Sequence, residues 1–518
     1  MDVRIERKAA FRVAGVAGRG PADRGSEWVP PLWQAFAGQS QALKDAAGPG
    51  APRLWGLMSD TGMAFAPWDG EGLYLAGVEV NDGPLPEGFA AWTAPGHDYL
   101  VVPASPEGMC GALDRALQDE IPSRAMELAG AVFERYPDPS DPTRLELWCP
   151  IRPLPAPAAA IGGLPRVAYF LGDTSYLTPF IGSLWSIHSR LGGGDEYSGV
   201  LALSGAGIRL RWGGWDPSNV DIAQCCENPF EMYLRALRAM GYGATLRRIR
   251  PAFGDEGPTV DFETAKREIA SSIDAGLPVP ALGVIGPTEG CAVAGYAAGG
   301  DQLMGWNYFQ ADSGQPANRY FRVTDWFDST WAYFLISRGE RPSMRDAALE
   351  MLRAAAAHAR SGPVRGAPVG LAAWRAMLDQ LAHDDFSNLP VTAPGGPAAG
   401  QHFWAGTLHG RFMIYCDALC QVHERGFTAA YFENLAAAFP DWAAELTDAA
   451  AHLRACATYG GYLWRHLTMD EAGYAKFAQP EIRAALADEG RRAMAEDRAA
   501  IEAIERLLHQ IEGGTAHD

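Results

Sequence analysis

The chain has 518 residues, enough for about three domains of roughly 150 residues, and its 48 % apolar and 20 % charged content is usual for a globular protein. The formal net charge of −19 argues against a nucleic-acid-binding surface, which needs clustered lysine and arginine. No stretch approaches the roughly 20 consecutive apolar residues of a membrane span, and eight cysteines are too few for a disulfide scaffold, so we expect a reducing cytoplasm.

The first 154 residues alternate between strand and helix patterns. Five short runs predict strands: FRVAGVAG, RLWGLM, GLYLAGVEV, DYLVVPA and RLELWCPI. Two amphipathic runs predict helices: SEWVPPLWQAFAGQSQAL and MCGALDRALQDEI. The N-terminus carries charges and no continuous apolar stretch, so no signal peptide is expected.

The run LELWCPI carries the most specific chemistry of this segment. Alternate side chains of a strand share a face, so Glu146, Trp148 and Pro150 are predicted on one side of it. Leu147 and Cys149 are predicted on the other side. A carboxylate beside an indole would bind a flat or cationic ligand by charge and cation–π attraction. The alternative is that Glu146 is an exposed strand residue and that the aromatic residues of this segment belong to the core.

Residues 1–154 resemble the GyrI-like small-molecule-binding family, in the family's order along the whole segment. The resemblance rests on FRVAGVAGRG, PLWQAF, GLYLAGVEV, APGHDYLVVPAS and FERYPDPSDPTRLELWCPIRP. It implies two α+β halves with a ligand cleft between them and a glutamate in the cleft, for which Glu146 is the candidate, as a ligand counter-ion or a general base. Four aromatic residues are candidates for the same cleft, beside Trp148: Trp33, Trp55, Tyr74 and Tyr99.

Residues 155–165 predict a linker rich in proline, alanine and glycine, followed by a second mixed α and β region at 166–342. Within it, EGCAVAGYAAGGDQLMGWNYFQ predicts two strands joined by a hairpin turn, with Asn307 closing the second strand. A papain-like site needs a nucleophile at a helix N-terminus, where the helix dipole favours an anion. The helix FIGSLWSIH offers Ser183 for that position.

Residues 166–342 resemble the N-terminal domain of the butirosin biosynthesis protein H family. The matching pieces are FIGSLWSIHSRLG, YSGVLALSGAGIRLRW, WDPSNVD, ENPFEMYLRALRAMGY and CAVAGYAAGGDQLMGWNYF. The resemblance implies a papain-like fold and acyl transfer, with Ser183 and Asn307 in the catalytic positions. No histidine opens the first strand, where Cys291 stands near its place, so we predict a degraded or repurposed site. An active acyltransferase or hydrolase is the alternative.

Residues 343–512 are rich in alanine, and their apolar residues recur at helical spacing, so this part is predicted to be all helical, with a tail at 513–518. Cys416, Cys420 and His423 fall on one helix face, with His402 and His409 nearby. This spacing suits zinc, but a buried apolar seam is the preferred interpretation, and no metal or cofactor is expected. A homodimer contact along the final helix is the alternative to a solvated helix.

The chain is therefore predicted to be an α+β protein. The favoured function is binding or detoxifying a small amphipathic or cationic natural product in a bacterial cytoplasm, with the ligand held at Glu146. The expected partner is that small molecule, with no nucleic acid and no membrane. One alternative is an enzyme: a hydrolase acting at Glu146, or an acyltransferase in the middle domain. A second is a ligand-sensing regulator that acts through a protein partner.

Overall fold

The computed structural model describes residues 2–47, 52–138, 140–141, 143–171, 174–251, 256–286, 289–393 and 404–514. Antiparallel sheets occupy the first two thirds, and helices fill the last third. The predicted α+β class with a helical C-terminal region is confirmed. His402 and most of the predicted tail lie outside the described residues.

The N-terminal region is built on a nine-stranded sheet. Its elements are β1 (Arg4–Lys8), β2 (Phe11–Pro21), α1 (Gly25–Gln39), α2 (Lys44–Ala47), β3 (Leu54–Ser59), β4 (Glu71–Val80), β5 (Ala90–Ala94), β6 (His97–Ala104), α3 (Met109–Arg115), β7 (Met126–Leu128), β8 (Phe133–Tyr136) and β9 (Leu145–Pro153). The strand order is β1-β6-β9-β8-β3-β4-β2-β5, with β7 paired to β9. The five predicted strands correspond to β2, β3, β4, β6 and β9, and the two predicted helices to α1 and α3.

Apolar side chains of this sheet separate into distinct cores because successive residues of a strand face opposite sides. Trp148 of β9 packs in an aromatic core with Trp55 and Tyr99. Leu147 and Cys149 belong to another core, on the side of α3. The alternation predicted for LELWCPI is therefore present in the fold.

The second region contains a seven-stranded sheet. Its elements are β10 (Ala159–Ala160), β11 (Phe170–Leu171), β12 (Thr174–Ser175), α4 (Pro179–Arg190), α5 (Tyr197–Ser204), α6 (Glu231–Ala239), β13 (Tyr242–Arg248), α7 (Phe262–Asp274), β14 (Val279–Leu282), β15 (Gly290–Ala297), β16 (Gln302–Asn307), β17 (Phe321–Val323), α8 (Trp326–Ser329) and β18 (Ala332–Arg338). The order is β13-β18-β14-β15-β16-β17, with β10 paired to β15 and β11 paired only to β12. The predicted hairpin is formed by β15 and β16, which pair Cys291 with Asn307.

The C-terminal region is helical: α9 (Met344–Arg360), α10 (Gly370–His383), α11 (Leu408–His423), α12 (Arg425–Ala438), α13 (Ala443–Ala457), α14 (Glu471–Phe477) and α15 (Pro480–Gly514). One apolar core runs from Leu154 to Leu507 and includes side chains of α4, α5, α11 and α15. The second region and the helical region therefore share a core, and the division into domains stays a prediction. Within the described ranges, no helix is long and apolar enough to cross a membrane.

Candidate functional site

The Glu146 carboxylate is buried and already paired. Arg4 Nη2 donates to its Oε1 at 3.0 Å, and Arg135 Nη1 donates to its Oε2 at 3.1 Å. Trp148 Nε1 also donates to Oε2, at 3.1 Å. Arg135 lies directly across from Glu146 in β8. The guanidinium groups of Arg4 and Arg135 thus supply the positive charge that was expected from a cationic ligand. A ligand-binding or catalytic role for Glu146 stays a prediction.

The four predicted aromatic residues fall into two groups. Trp55 and Tyr99 pack against Trp148, with ring centroids 5.0 and 5.4 Å apart. Trp33 of α1 and Tyr74 of β4 meet elsewhere, where the Trp33 Nε1 donates to the Tyr74 hydroxyl at 3.0 Å. The structure therefore brings Glu146 together with the first group and separates it from the second.

A different carboxylate, that of Glu134, lies among the second group. Glu134 is only 5 % exposed. Its Oε2 accepts hydrogen bonds from the Tyr74 hydroxyl at 2.6 Å and from the Tyr136 hydroxyl at 3.0 Å. The Trp33 ring meets the Tyr136 ring edge to face at 4.8 Å. A carboxylate, two phenols and an indole thus converge at one point between α1 and the sheet.

Burial raises the pKa of Glu134 above its ordinary value, and the two tyrosine hydrogen bonds offset part of that rise. In the part of the chain that the structure describes, no arginine or lysine pairs with Glu134. By contrast, Glu79 accepts from Lys8 Nζ at 3.1 Å, and Glu146 has its two arginines. Glu134 is therefore the buried carboxylate of this sheet whose charge has no basic partner in the described structure.

Gly56 makes the Tyr74–Glu134 contact possible. It lies opposite Glu134 in the pairing of β3 with β8. A Cβ at this position would lie 1.9 Å from the Tyr74 hydroxyl oxygen and 3.0 Å from Glu134 Oε2. Only a residue without a side chain leaves room for both groups.

Glu134 is not among the predicted site residues, although its pattern is readable in the sequence. In the strand FERY, Glu134 and Tyr136 are two residues apart and so share a face. The same argument that paired Glu146 with Trp148 pairs these two. The sequence alone does not show that Arg4 and Arg135 form ion pairs with Glu146.

The N-terminal region matches a known family. Residues 1–152 match the model of the GyrI-like small molecule binding domain. Residues 1–152 are a GyrI-like small-molecule-binding domain. The resemblance of residues 166–342 to the butirosin biosynthesis protein H family stays a prediction. A comparison with curated proteins finds no match.

Several solved structures are similar to the chain. The integron cassette protein VCH_CASS2 from the mobile metagenome of Vibrio cholerae is 14 % identical over 29 % of this chain and 95 % of its own, with a TM-score of 0.23. SAV2435 bound to tetraphenylphosphonium is 17 % identical over 29 % of this chain and 94 % of its own, with a TM-score of 0.24. A putative bacterial transcription regulation protein from Staphylococcus aureus MU50 is 16 % identical over 29 % of this chain and 99 % of its own, with a TM-score of 0.22.

Helix α1 of the GyrI-like domain covers Glu134. Its Phe36 is buried, and Trp28, Val29, Leu32 and Trp33 pack, partly buried, against the same core. Pro30 and Pro31 lie inside the helix and have no backbone N–H to donate to a preceding turn.

The predicted nucleophile of the second region lies in the N-terminal half of α4. Helix α4 begins at Pro179, one residue before the predicted opening at Phe180, so Ser183 is its fifth residue. The buried Ser183 hydroxyl has no hydrogen-bond partner among the described residues, and its catalytic role stays a prediction. Gly290, the first residue of β15, packs closely against Phe180 of α4. A Cβ on Gly290 would lie 2.3 Å from the Phe180 Cα.

Asn307 makes a contact that is structural in character. Its Nδ2 donates to the Cys291 Sγ at 2.9 Å, and its Oδ1 accepts from the backbone N–H of Phe309 at 2.7 Å. The candidate base position is thus occupied by a buried thiol whose pKa burial raises to about 11. Asn307 therefore contacts Cys291, and among the described residues neither of them hydrogen-bonds to Ser183.

A buried ion-pair network fills the space before α4. Glu424 is fully buried and accepts from the Thr178 hydroxyl at 2.7 Å, the Tyr197 hydroxyl at 2.8 Å and Arg209 Nη1 at 2.9 Å. Thr178 is the residue directly before α4. The carboxylate of Glu424, which comes from the helical region, thus places a negative charge at the start of α4. A papain-like site would place its nucleophile there.

One face of α11 carries Cys416, Cys420 and His423 at the spacing that suits zinc. The eight cysteines of the chain are free thiols. In the ranges that the structure describes, no group of three or more histidine, cysteine, aspartate or glutamate side chains could hold a metal ion. Cys416 is buried in the apolar core beside Phe412 and Tyr415.

Proposed function

We propose that the GyrI-like domain binds a small aromatic cation, with Glu134 as its counter-ion. The observation that carries this proposal is a carboxylate that is 5 % exposed and has tyrosine hydroxyls but no basic side chain as described partners. Burying a charge in that way is costly unless a counter-charge arrives. A bound cation would favour the ionised form of Glu134 and lower its raised pKa.

The surroundings of Glu134 suit an aromatic ligand. Tyr136 offers a ring that attracts a cation, and the Tyr74 and Tyr136 hydroxyls hold the carboxylate in place. In the described structure Trp33 covers this position from α1. We propose that the ligand takes the place of the Trp33 ring and that α1 moves to admit it.

Calorimetric titration of the full chain with tetraphenylphosphonium tests the proposal, because this probe is permanently charged and aromatic. Glu134→Gln keeps the shape and removes the charge, so it should weaken binding by at least about tenfold. Glu146→Gln is the matched control in the same sheet and should leave the affinity close to wild type. The neutral triphenylphosphine oxide should bind more weakly than the cation.

Two results would contradict the proposal. If Glu146→Gln abolishes binding and Glu134→Gln does not, the cleft is at Glu146, as the sequence first suggested. If wild type gives no saturable heat with the cation, the domain does not bind this class of ligand.

At the level of the cell, we propose that the protein sequesters an amphipathic or cationic natural product in a bacterial cytoplasm without turning it over. Free cysteines fit a reducing compartment, and Ser183 has no described partner that could activate it. Mass spectrometry of a bound compound after prolonged incubation should recover it unchanged. A hydrolysed or acylated product would instead favour an enzyme, and ligand-dependent capture of a protein partner would favour a regulator.

A further inference from the structure

A cavity of about 270 Å³ lies between the GyrI-like domain and the second sheet. Strands β7 and β9 form one side, and residues 315–322, which run into β17, form the other. The lining residues with charged or hydrogen-bonding side chains are Glu127, Arg152, Gln315, Arg319, Tyr320 and Arg322. The volume is just below the range of about 300–1,000 Å³ typical of small-molecule sites, so a small ligand fits it.

The charges that line this cavity are unbalanced. Glu127 is engaged on both oxygens, since Arg152 Nε donates to Oε1 and Arg322 Nη1 pairs with Oε2. The third arginine, Arg319, has no carboxylate partner among the described residues. Three arginines against one glutamate leave a positive surplus in this cavity, although the whole chain carries a net charge of −19.

Arg319 is half-buried, and its guanidinium makes no hydrogen bond or ion pair within the described residues. Burial lowers the pKa of Arg319, with no acidic neighbour to offset it. Its backbone is nevertheless fixed, because its carbonyl accepts from Gln310 Nε2 at 2.9 Å. The Arg319 guanidinium is thus positioned and has lost part of its hydration without gaining a described partner. A bound anion would compensate for that lost hydration.

Gln315 adds a neutral donor. Its Oε1 accepts from the backbone N–H of Arg322 at 3.0 Å, which fixes the side-chain amide. The amide NH₂ group then remains to donate to a ligand beside Arg319. Tyr320 does not add a donor to this site, since its hydroxyl already donates to the Ile161 carbonyl at 2.9 Å.

We propose that this cavity binds a small oxyanion, a carboxylate or a phosphate, on Arg319, with Arg322 and the Gln315 amide beside it. The planar guanidinium presents paired donors that match the oxygens of both groups. Because the lining comes from both sides, the ligand would bridge the GyrI-like domain and the second sheet. This site is separate from Glu134 and takes the opposite charge.

Calorimetric titration of the full chain with inorganic phosphate, and separately with succinate, tests the proposal and distinguishes the two chemistries. Arg319→Gln should lower the affinity for the anion that binds by at least about tenfold. Arg375→Gln removes the same charge from an exposed position of α10 and should leave the affinity unchanged. Equal losses in both variants would mean general charge screening and would overturn the proposal, as would the absence of saturable binding of either anion to wild type.

Thermal unfolding without added anion provides a second readout. Arg319→Gln removes a partly desolvated charge that has no described partner, so its melting temperature should equal or exceed that of wild type. A clear fall would mean that Arg319 has a structural role and would contradict the proposal. Tetraphenylphosphonium binding should be the same in Arg319→Gln and wild type, which separates this test from that of Glu134.

Discussion

The Tyr74 hydroxyl donates a 2.6 Å hydrogen bond to Glu134 Oε2 beneath helix α1 of the GyrI-like domain. The contact joins β4 to β8 across β3, and Gly56 is the residue of β3 that leaves room for it. The neighbouring carboxylates Glu79 and Glu146 are held by basic side chains. The charge pattern of this sheet therefore supports the proposal that a cation binds at Glu134.

Replacing Gly56 by alanine should disturb this contact directly. The added Cβ would lie 1.9 Å from the Tyr74 oxygen, so the side chains must shift. We expect a loss of about 1–3 kcal/mol in the free energy of unfolding and weaker tetraphenylphosphonium binding. Urea unfolding and calorimetric titration measure the two effects.

The control is Gly38→Ala on α1, where nothing lies within 4 Å of the new Cβ. It should stabilise the helix by about 0.5–1 kcal/mol, because glycine disfavours helix. Wild-type binding by Gly56→Ala would show that the Tyr74–Glu134 contact is not part of the ligand site.

Ser183→Ala should be harmless. The Ser183 hydroxyl is buried without a partner, and removing such a group is neutral or stabilising. Ser186 on the same helix donates to the Pro165 carbonyl, so Ser186→Ala should cost about 1 kcal/mol. Thermal unfolding compares the two variants, and labelling of Ser183 by a fluorophosphonate probe would contradict the view that it is not a nucleophile.

The buried ion pair of Arg425 and Asp497 should contribute strongly to the stability of the helical region. Arg425 Nε and Nη2 each donate to the Asp497 carboxylate at 2.8 Å. Arg425→Met leaves the aspartate buried without its cation, so we expect a loss of about 3–5 kcal/mol in urea unfolding. Arg454→Met breaks an exposed pair with Glu433 and should cost less than about 1 kcal/mol. Similar losses in the two variants would contradict this ranking.

Stability should fall as pH rises toward neutrality, partly because of Asp417. Burial raises the pKa of Asp417 to about 7, whereas an aspartate of the unfolded chain titrates near about 3.9. Between these values the Asp417 carboxyl holds more protons in the folded state than in the unfolded state, so its contribution to stability decreases with rising pH through that window and levels off above it.

Melting temperatures of wild type and Asp417→Asn across this window measure the effect. The variant should show a shallower decline. A decline remains because burial also raises the pKa of Glu289, to about 8. Asp488→Asn, on the surface of α15, should behave as wild type does. A steeper decline in Asp417→Asn would contradict the assignment.

The strands of the GyrI-like domain could be predicted because their patterns are local. The alternation in LELWCPI placed Trp148 and Leu147 in different cores correctly. The start of α4 could also have been found, because Pro179 is typical of a first helical residue. The predicted opening at Phe180 differs from the observed start by one residue.

The choice between the two glutamates could not be made from the sequence. Arg4 is 142 residues from Glu146 along the chain, and it reaches that carboxylate because β1 pairs with β6 and β6 with β9. Strand order of this kind is a long-range property. Without it, Glu146 looks available and Glu134 looks like an ordinary strand residue.

A crystal structure of the full chain with tetraphenylarsonium would show where the cation binds, because the anomalous signal of arsenic locates it without reference to the surrounding side chains. We expect the arsenic beside Glu134, in the space that Trp33 occupies here, with α1 displaced. An arsenic position next to Glu146 and Trp148, or outside residues 1–152, would contradict it.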